Sequence, residues 1–131
     1  MSIEIEHTHL HAVPIPSNGG EYLQLTLRFQ KLDRTAEFRI EDFSGLSLFD
    51  ERLLELVERG AVEALKKAGW NGAQITLIDF EYFDVNSPPW LWELVAGVCV
   101  ELGIAYPELI KSENRSIPGK KRKLRPLKRF S

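Results

Sequence analysis

The chain has 131 residues with a single cysteine, 44% hydrophobic and 27% charged residues. That is enough for one hydrophobic core and too little for two, in the balance of a globular domain rather than a disordered or fibrous chain. No apolar run approaches the ~20 residues of a membrane-spanning helix. Cys99 alone excludes an internal disulfide framework, and the acidic start MSIEIEHTHLH lacks the basic-then-apolar order of a secretory signal. A cytoplasmic protein with no membrane contact is expected.

The net charge of −2 hides a segregation. Residues 1–110 hold 8 Lys/Arg against 18 Asp/Glu, a balance of −10, whereas residues 111–131 hold 9 Lys/Arg against Glu113 alone, a balance of +8. A polar segment this basic cannot bury enough apolar surface to fold alone. The expected division is therefore a folded domain over residues 1–104 and a flexible basic tail over 105–131.

Residues 3–13 read as a first strand, closed by Val13-Pro14-Ile15-Pro16 because proline removes ladder donors. Ser17-Asn18-Gly19-Gly20 reads as a turn. The following EYLQLTLRFQ alternates, with Leu23, Leu25, Leu27 and Phe29 on one face and Tyr22, Gln24, Thr26, Arg28 and Gln30 on the other. A third strand puts Ala36, Phe38 and Ile40 inward and Glu37, Arg39 and Glu41 outward. Two consecutive strands with one polar face describe an antiparallel sheet covered on one side.

Ser47-Leu48-Phe49-Asp50 resembles a capping box at the start of a helix. Phe49, Leu53, Leu56, Val57, Val62, Ala64, Leu65 and Ala68 continue it at helical spacing, and Gly69 sits where a left-handed cap belongs. A strand over about 74–83 places Ile78, Phe80 and Tyr82 on one face. After the Asp84-Val85-Asn86 loop, Ser87 is expected to cap a second helix that opens on Pro88-Pro89. Its buried stripe reads Trp90, Leu91, Leu94, Val95, Val98 and Leu102, which leaves Trp92 more exposed, either as an interface anchor or, in the plainer reading, packed against the edge of its own core; Gly103 ends it. The fold class is thus α+β: a one-sided sheet of about four strands with two helices on one face, in the order β-β-β-α-β-α.

Leu56 to Val100, LVERGAVEALKKAGWNGAQITLIDFEYFDVNSPPWLWELVAGVCV, carries a resemblance. A helix with mid-helix Gly60, the turn Gly69-Trp70-Asn71-Gly72, a strand, the loop Asp84-Val85-Asn86-Ser87 and a second helix with small Ala96-Gly97 follow one another. This order is similar to domain IV of elongation factor G, and Gly19-Gly20-Glu21-Tyr22 before a long strand resembles that domain's second strand. The similarity covers roughly residues 1–103, and is to that domain without its GTPase. It implies the fold of ribosomal protein S5 domain 2.

In that family two loops form a tip that enters the ribosomal decoding centre. The resemblance places the tip here at Gly45, Phe83, Asp84, Asn86 and Ser87. The first loop reads Ser44-Gly45-Leu46-Ser47-Leu48, with one glycine and no proline, and Phe83 replaces the family's histidine. No GxxxxGK[ST] loop occurs, so neither nucleotide nor another cofactor is expected.

In the tail, Lys120, Lys121, Arg122, Lys123, Arg125, Lys128 and Arg129 are suited to neutralise phosphates, with Leu124 and Phe130 for apolar or stacking contacts. The plainer reading is a solubilising arm, or one folded back on the acidic body. His7, His9 and His11 alternate, so a strand projects all three to one face, a pattern that could ligate a transition metal. With no completing ligand near in sequence, the plainer reading is a polar face near a sheet edge, and no metal is assigned. Cys99 reads as a small buried hydrophobe, and the Asp79, Glu81 and Asp84 carboxylates are thin ground for acid–base chemistry. The expectation is a non-enzymatic RNA- or ribosome-binding module. The competing one is a protein-interaction or homodimerisation module using its polar sheet face.

Overall fold

The computed structural model describes residues 4–14, 20–32, 37–82, 87–107 and 109–110. The elements are β1 (Glu4–Val13), β2 (Glu21–Lys31), β3 (Phe38–Asp42), α1 (Leu46–Phe49), α2 (Glu51–Lys67), β4 (Ala73–Tyr82), α3 (Pro89–Ala105) and β5 (Leu109–Ile110). One sheet runs in the order β3-β4-β2-β1-β5. β1 pairs β2 and β2 pairs β4 antiparallel, while β3 pairs β4 parallel. The α+β class read from the sequence, a one-sided sheet with its helices on one face, is observed, but the sheet is mixed rather than antiparallel throughout.

β2 lies inside the sheet, and its alternation does what the pattern requires: Leu23, Leu25, Leu27 and Phe29 are wholly buried under the helices. Each such side chain contributes about 1.5–3 kcal/mol through burial. Val57, Ala61 and Leu65 meet them from α2, and Leu91, Trp92, Val95, Cys99 and Val100 from α3.

β3 does not pair with β2, as adjacency in sequence suggested. The α2 crossover carries the chain back so that β4 enters between them, parallel to β3. A connection through a helix permits parallel pairing, and the polar–apolar alternation of β3 is the same in either position. In β4 the register shifts opposite Thr26 and Leu27, leaving Ile78 without a partner on β2. This bulge changes the parity of the strand, so Ala73, Ile75 and Leu77 before it and Phe80 and Tyr82 after it are all buried. Ile78 therefore does not share the face of Phe80 and Tyr82, and is only half-buried.

Helix entry also differs from the sequence reading. α1 is a single turn, and α2 is capped by Asp50, whose carboxylate accepts from Arg52 N at 3.0 Å. Ser47 is not the cap: it lies within the single turn of α1, and its backbone N–H donates to Asp42 Oδ2 at 2.7 Å. The exit of α2 is as expected. Gly69 has φ 92°, Gly69 N donates to Lys66 O and Trp70 N to Leu65 O, the paired bonds of a left-handed cap.

α3 begins at Pro89 with Pro88 as N-cap and no side-chain capping bond. The hydroxyl of Ser87 instead donates to the Tyr22 carbonyl, tying the start of α3 to β2. The tryptophans exchange their expected places: Trp92 is 0% exposed and Trp90 54%. Trp92 rests on Phe80 and Tyr82 at ring-centroid distances of 5.6 and 5.4 Å, and its indole N–H points to Ser87 O at 3.4 Å. Leu94 is likewise exposed, while Ala96, Cys99 and Gly103 face inward. α3 is apolar around most of its circumference, so periodicity marked its phase poorly. Past the expected boundary at residue 104, β5 adds to the edge of β1 opposite Glu4 and Ile5.

Candidate functional site

α2 and α3 run side by side in the same direction. Gly60 meets Glu93 and Gly97, Arg59 Nε lies 3.5 Å from Glu93 Oε2, and Pro89 shares a groove with Leu53 and Leu56. Both helices therefore start at one end of the molecule, where the loop after β3 and the end of β4 at Tyr82 also lie. This is the end the resemblance marks as the tip.

The loop after β3 is organised by one carboxylate. Asp42 Oδ1 accepts from Ser44 N (2.8 Å), Ser44 Oγ (2.6 Å) and Gly45 N (3.2 Å), and Oδ2 accepts from Ser47 N (2.7 Å). Gly45 supplies the left-handed conformation the turn requires, at φ 90°. Successive amides curled in this way make an anion-binding concavity. Here the protein's own carboxylate fills it, so the Gly45 loop is a rigid platform rather than a vacant phosphate cradle. It presents Leu48, 91% exposed, and Phe49, whose ring lies 5.8 Å from that of Tyr82. Trp90 stands exposed at the neighbouring helix start.

Of the other tip residues, Ser87 is buried and anchors α3, while Phe83, Asp84 and Asn86 lie outside the described residues. So do all seven tail cations, Lys120, Lys121, Arg122, Lys123, Arg125, Lys128 and Arg129, together with Leu124 and Phe130.

The open sheet face is polar and cross-linked. Arg28 donates to Glu6 Oε1 from Nη2 at 2.7 Å and from Nε at 2.9 Å, with Glu4 Oε1 at 3.9 Å. Thr8 and Thr26 hydroxyls bond at 2.8 Å, and Tyr22 OH donates to Glu81 Oε1 at 2.7 Å. That bond to a carboxylate, with burial and its charge, pushes the Tyr22 phenol above its ordinary pKa.

The three histidines do share one face, but it is the helix-covered one. They stand in register with Leu27, Leu25 and Leu23, half-buried at the margin of α3. His11 Nε2 lies 2.9 Å from Glu21 Oε1. His9 is held below its ordinary pKa, first by burial and then by the charges of His11 and His7. Among the described residues no group of three or more His, Cys, Asp or Glu side chains is placed to hold a metal ion. Cys99 is buried, its Sγ donating to His7 O at 3.1 Å, and burial pushes its thiol up to about 12. It is the inert core thiol that the sequence suggested.

Sequence reasoning missed Asp42 altogether. Its signal was an Asp two residues before Ser-Gly, the usual chemistry of a side chain that closes a turn on backbone amides. No described helix is long and apolar enough to cross a membrane.

No protein-family model and no curated protein matches the chain. Among solved structures, it is similar to a crystal structure of a protein from Thermus thermophilus, with a TM-score of 0.57 and 20% identity over 82% of this chain. The chain spans 16% of the length of that protein. Identity at this level speaks for the shared fold alone.

Proposed function

We propose that this chain is a non-catalytic RNA- or ribosome-binding module of the elongation factor G domain IV type, working in the cytoplasm. Lys120, Lys121, Arg122, Lys123, Arg125, Lys128 and Arg129 are its phosphate contacts. The loop end, with Gly45, Phe83, Asp84, Asn86 and Ser87, is a secondary contact. The observation that carries this reading is the charge segregation, +8 in residues 111–131 against −10 in residues 1–110. Such an arm is attracted to polyanions while the body is repelled by them. Because Asp42 already occupies the amides of the Gly45 turn, the tail rather than that turn supplies the anion contact. The exposed Leu48 and Trp90 suit apolar or stacking contacts with unpaired bases.

The test is binding of the whole chain to purified ribosomes and to a structured RNA across a salt series. A variant with the seven tail cations replaced by Gln is run in parallel. The wild type should show log K falling with log salt at a slope of roughly −5 to −8, and the variant should lose most of the affinity and the slope. Equal binding by both proteins, or none by the wild type at low salt, would refute the reading.

A further inference from the structure

The two edges of the sheet are built differently. β3, at one edge, is five residues long and alternates Arg39 and Glu41 outward, with Arg39 Nε 2.9 Å from Glu37. Short length and charge are the ordinary means by which an edge is kept from pairing with other strands. At the other edge β5 covers only Glu4 and Ile5. Glu6 to Val13 therefore present an outer row of backbone N–H and C=O groups with no strand partner among the described residues.

Tyr106 shares a groove with Glu6, His7 and Thr8 at the start of that row, but beyond Thr8 none of the usual protections is seen among the described residues. β1 has no proline and no bulge, since its register with β2 runs unbroken from Glu4↔Gln30 to Val13↔Glu21. From Thr8 to Val13 it carries no Lys, Arg, Asp or Glu. Leu10 and Val13 are exposed along it, at 48% and 42%.

We infer that the outer edge of β1 is a homodimer interface, in which β1 pairs antiparallel with β1 of a second copy to make one continuous sheet. The segment is its own complement. A two-fold axis normal to the sheet at Leu10 keeps the helices of both copies on one side, because it pairs odd residues with odd and even with even. Thr8 then stands opposite Ala12 of the second copy, and Leu10 opposite Leu10, on the open face. His9 meets His11 of the second copy on the helix side. No like-charged carboxylates or ammonium groups are opposed in this arrangement, and cross-strand apolar pairs favour it. The pairing uses no tail cation and its test reads mass rather than polyanion binding, so the two proposals stand or fall independently.

Pairing from His7 to Val13 is small for a specific interface, no larger than the lower limit of roughly 1,000 Å² for stable ones, so the association is expected to be weak and concentration-dependent. The full-length protein is studied by sedimentation velocity and light scattering from about 1 to about 100 µM, a span set by that interface size. Dimer should accumulate with concentration. Leu10→Lys and Ala12→Lys change exposed positions on the open face, and each should weaken association at least tenfold with the far-UV spectrum and unfolding midpoint retained. Monomer at every concentration overturns the inference. So does a dimer indifferent to both substitutions, since its interface would lie elsewhere.

Discussion

Gly60 of α2 and Glu93 of α3 meet backbone to backbone: a Cβ on Gly60 would collide with the Glu93 carbonyl oxygen. A Cβ on Gly97, by contrast, would stand 3.4 Å from Gly60 O. The two helices are brought to this separation by residue 60 having no side chain. Gly60→Ala should therefore force them apart and cost about 1–3 kcal/mol or more, despite the better helix propensity of alanine. Gly97→Ala should change stability by less than about 1 kcal/mol. Urea unfolding of the two variants separates these outcomes, and equal midpoints would remove Gly60 as the contact that sets helix spacing.

The tryptophans give a second contrast. Trp92 is fully buried against Phe80 and Tyr82, whereas Trp90 is more than half exposed. Trp92→Ala should cost about 3–5 kcal/mol, the usual range for deleting a buried indole. Trp90→Ala should stay within about 0.5 kcal/mol. Denaturant midpoints, with iodide quenching reduced by replacing Trp90 and not by replacing Trp92, provide the check.

His9 sets an acid-side dependence. Its folded pKa is lowered from the ordinary value of 6.5 by burial and by His11 and His7. A group whose folded pKa is depressed binds its proton more readily in the unfolded chain. Its effect on stability is thus absent well above 6.5 and grows as a penalty while pH falls from there to the lowered folded value. His9→Asn should flatten the loss of unfolding free energy in that window. Identical pH profiles for wild type and His9→Asn would contradict the burial of this imidazole.

The sequence was legible where polarity and period coincide. Leu23, Leu25, Leu27 and Phe29 alternate with polar neighbours, and a half-buried strand is the one element that satisfies them all. Gly69 was legible because only glycine takes a left-handed cap without a steric cost. α3 was not, because a helix apolar on nearly all sides carries no mark of which side faces the sheet, and Trp90 and Trp92 were interchanged. Ile78 misled for a related reason: a bulge alters strand parity without altering composition. Of the candidate site, the cation-rich tail and the histidine row were visible in sequence. That the histidines sit on the helix-covered face was not, because it depends on the register in which β1 pairs with β2.

The sequence by itself determined the α+β class, the one-sided sheet, the segregation of acidic from basic charge along the chain, and Cys99 as a core thiol. These follow from local pattern and composition, which the chain carries before it folds. Only the tertiary structure decided that β4 enters between β2 and β3, that Asp42 fills its own amide nest, that Gly60 sets the contact of α2 with α3, and that the outer edge of β1 beyond Ile5 has no strand partner among the described residues. Each of these is a relation between segments distant in sequence, fixed by which surfaces bury one another and by how closely two backbones can approach.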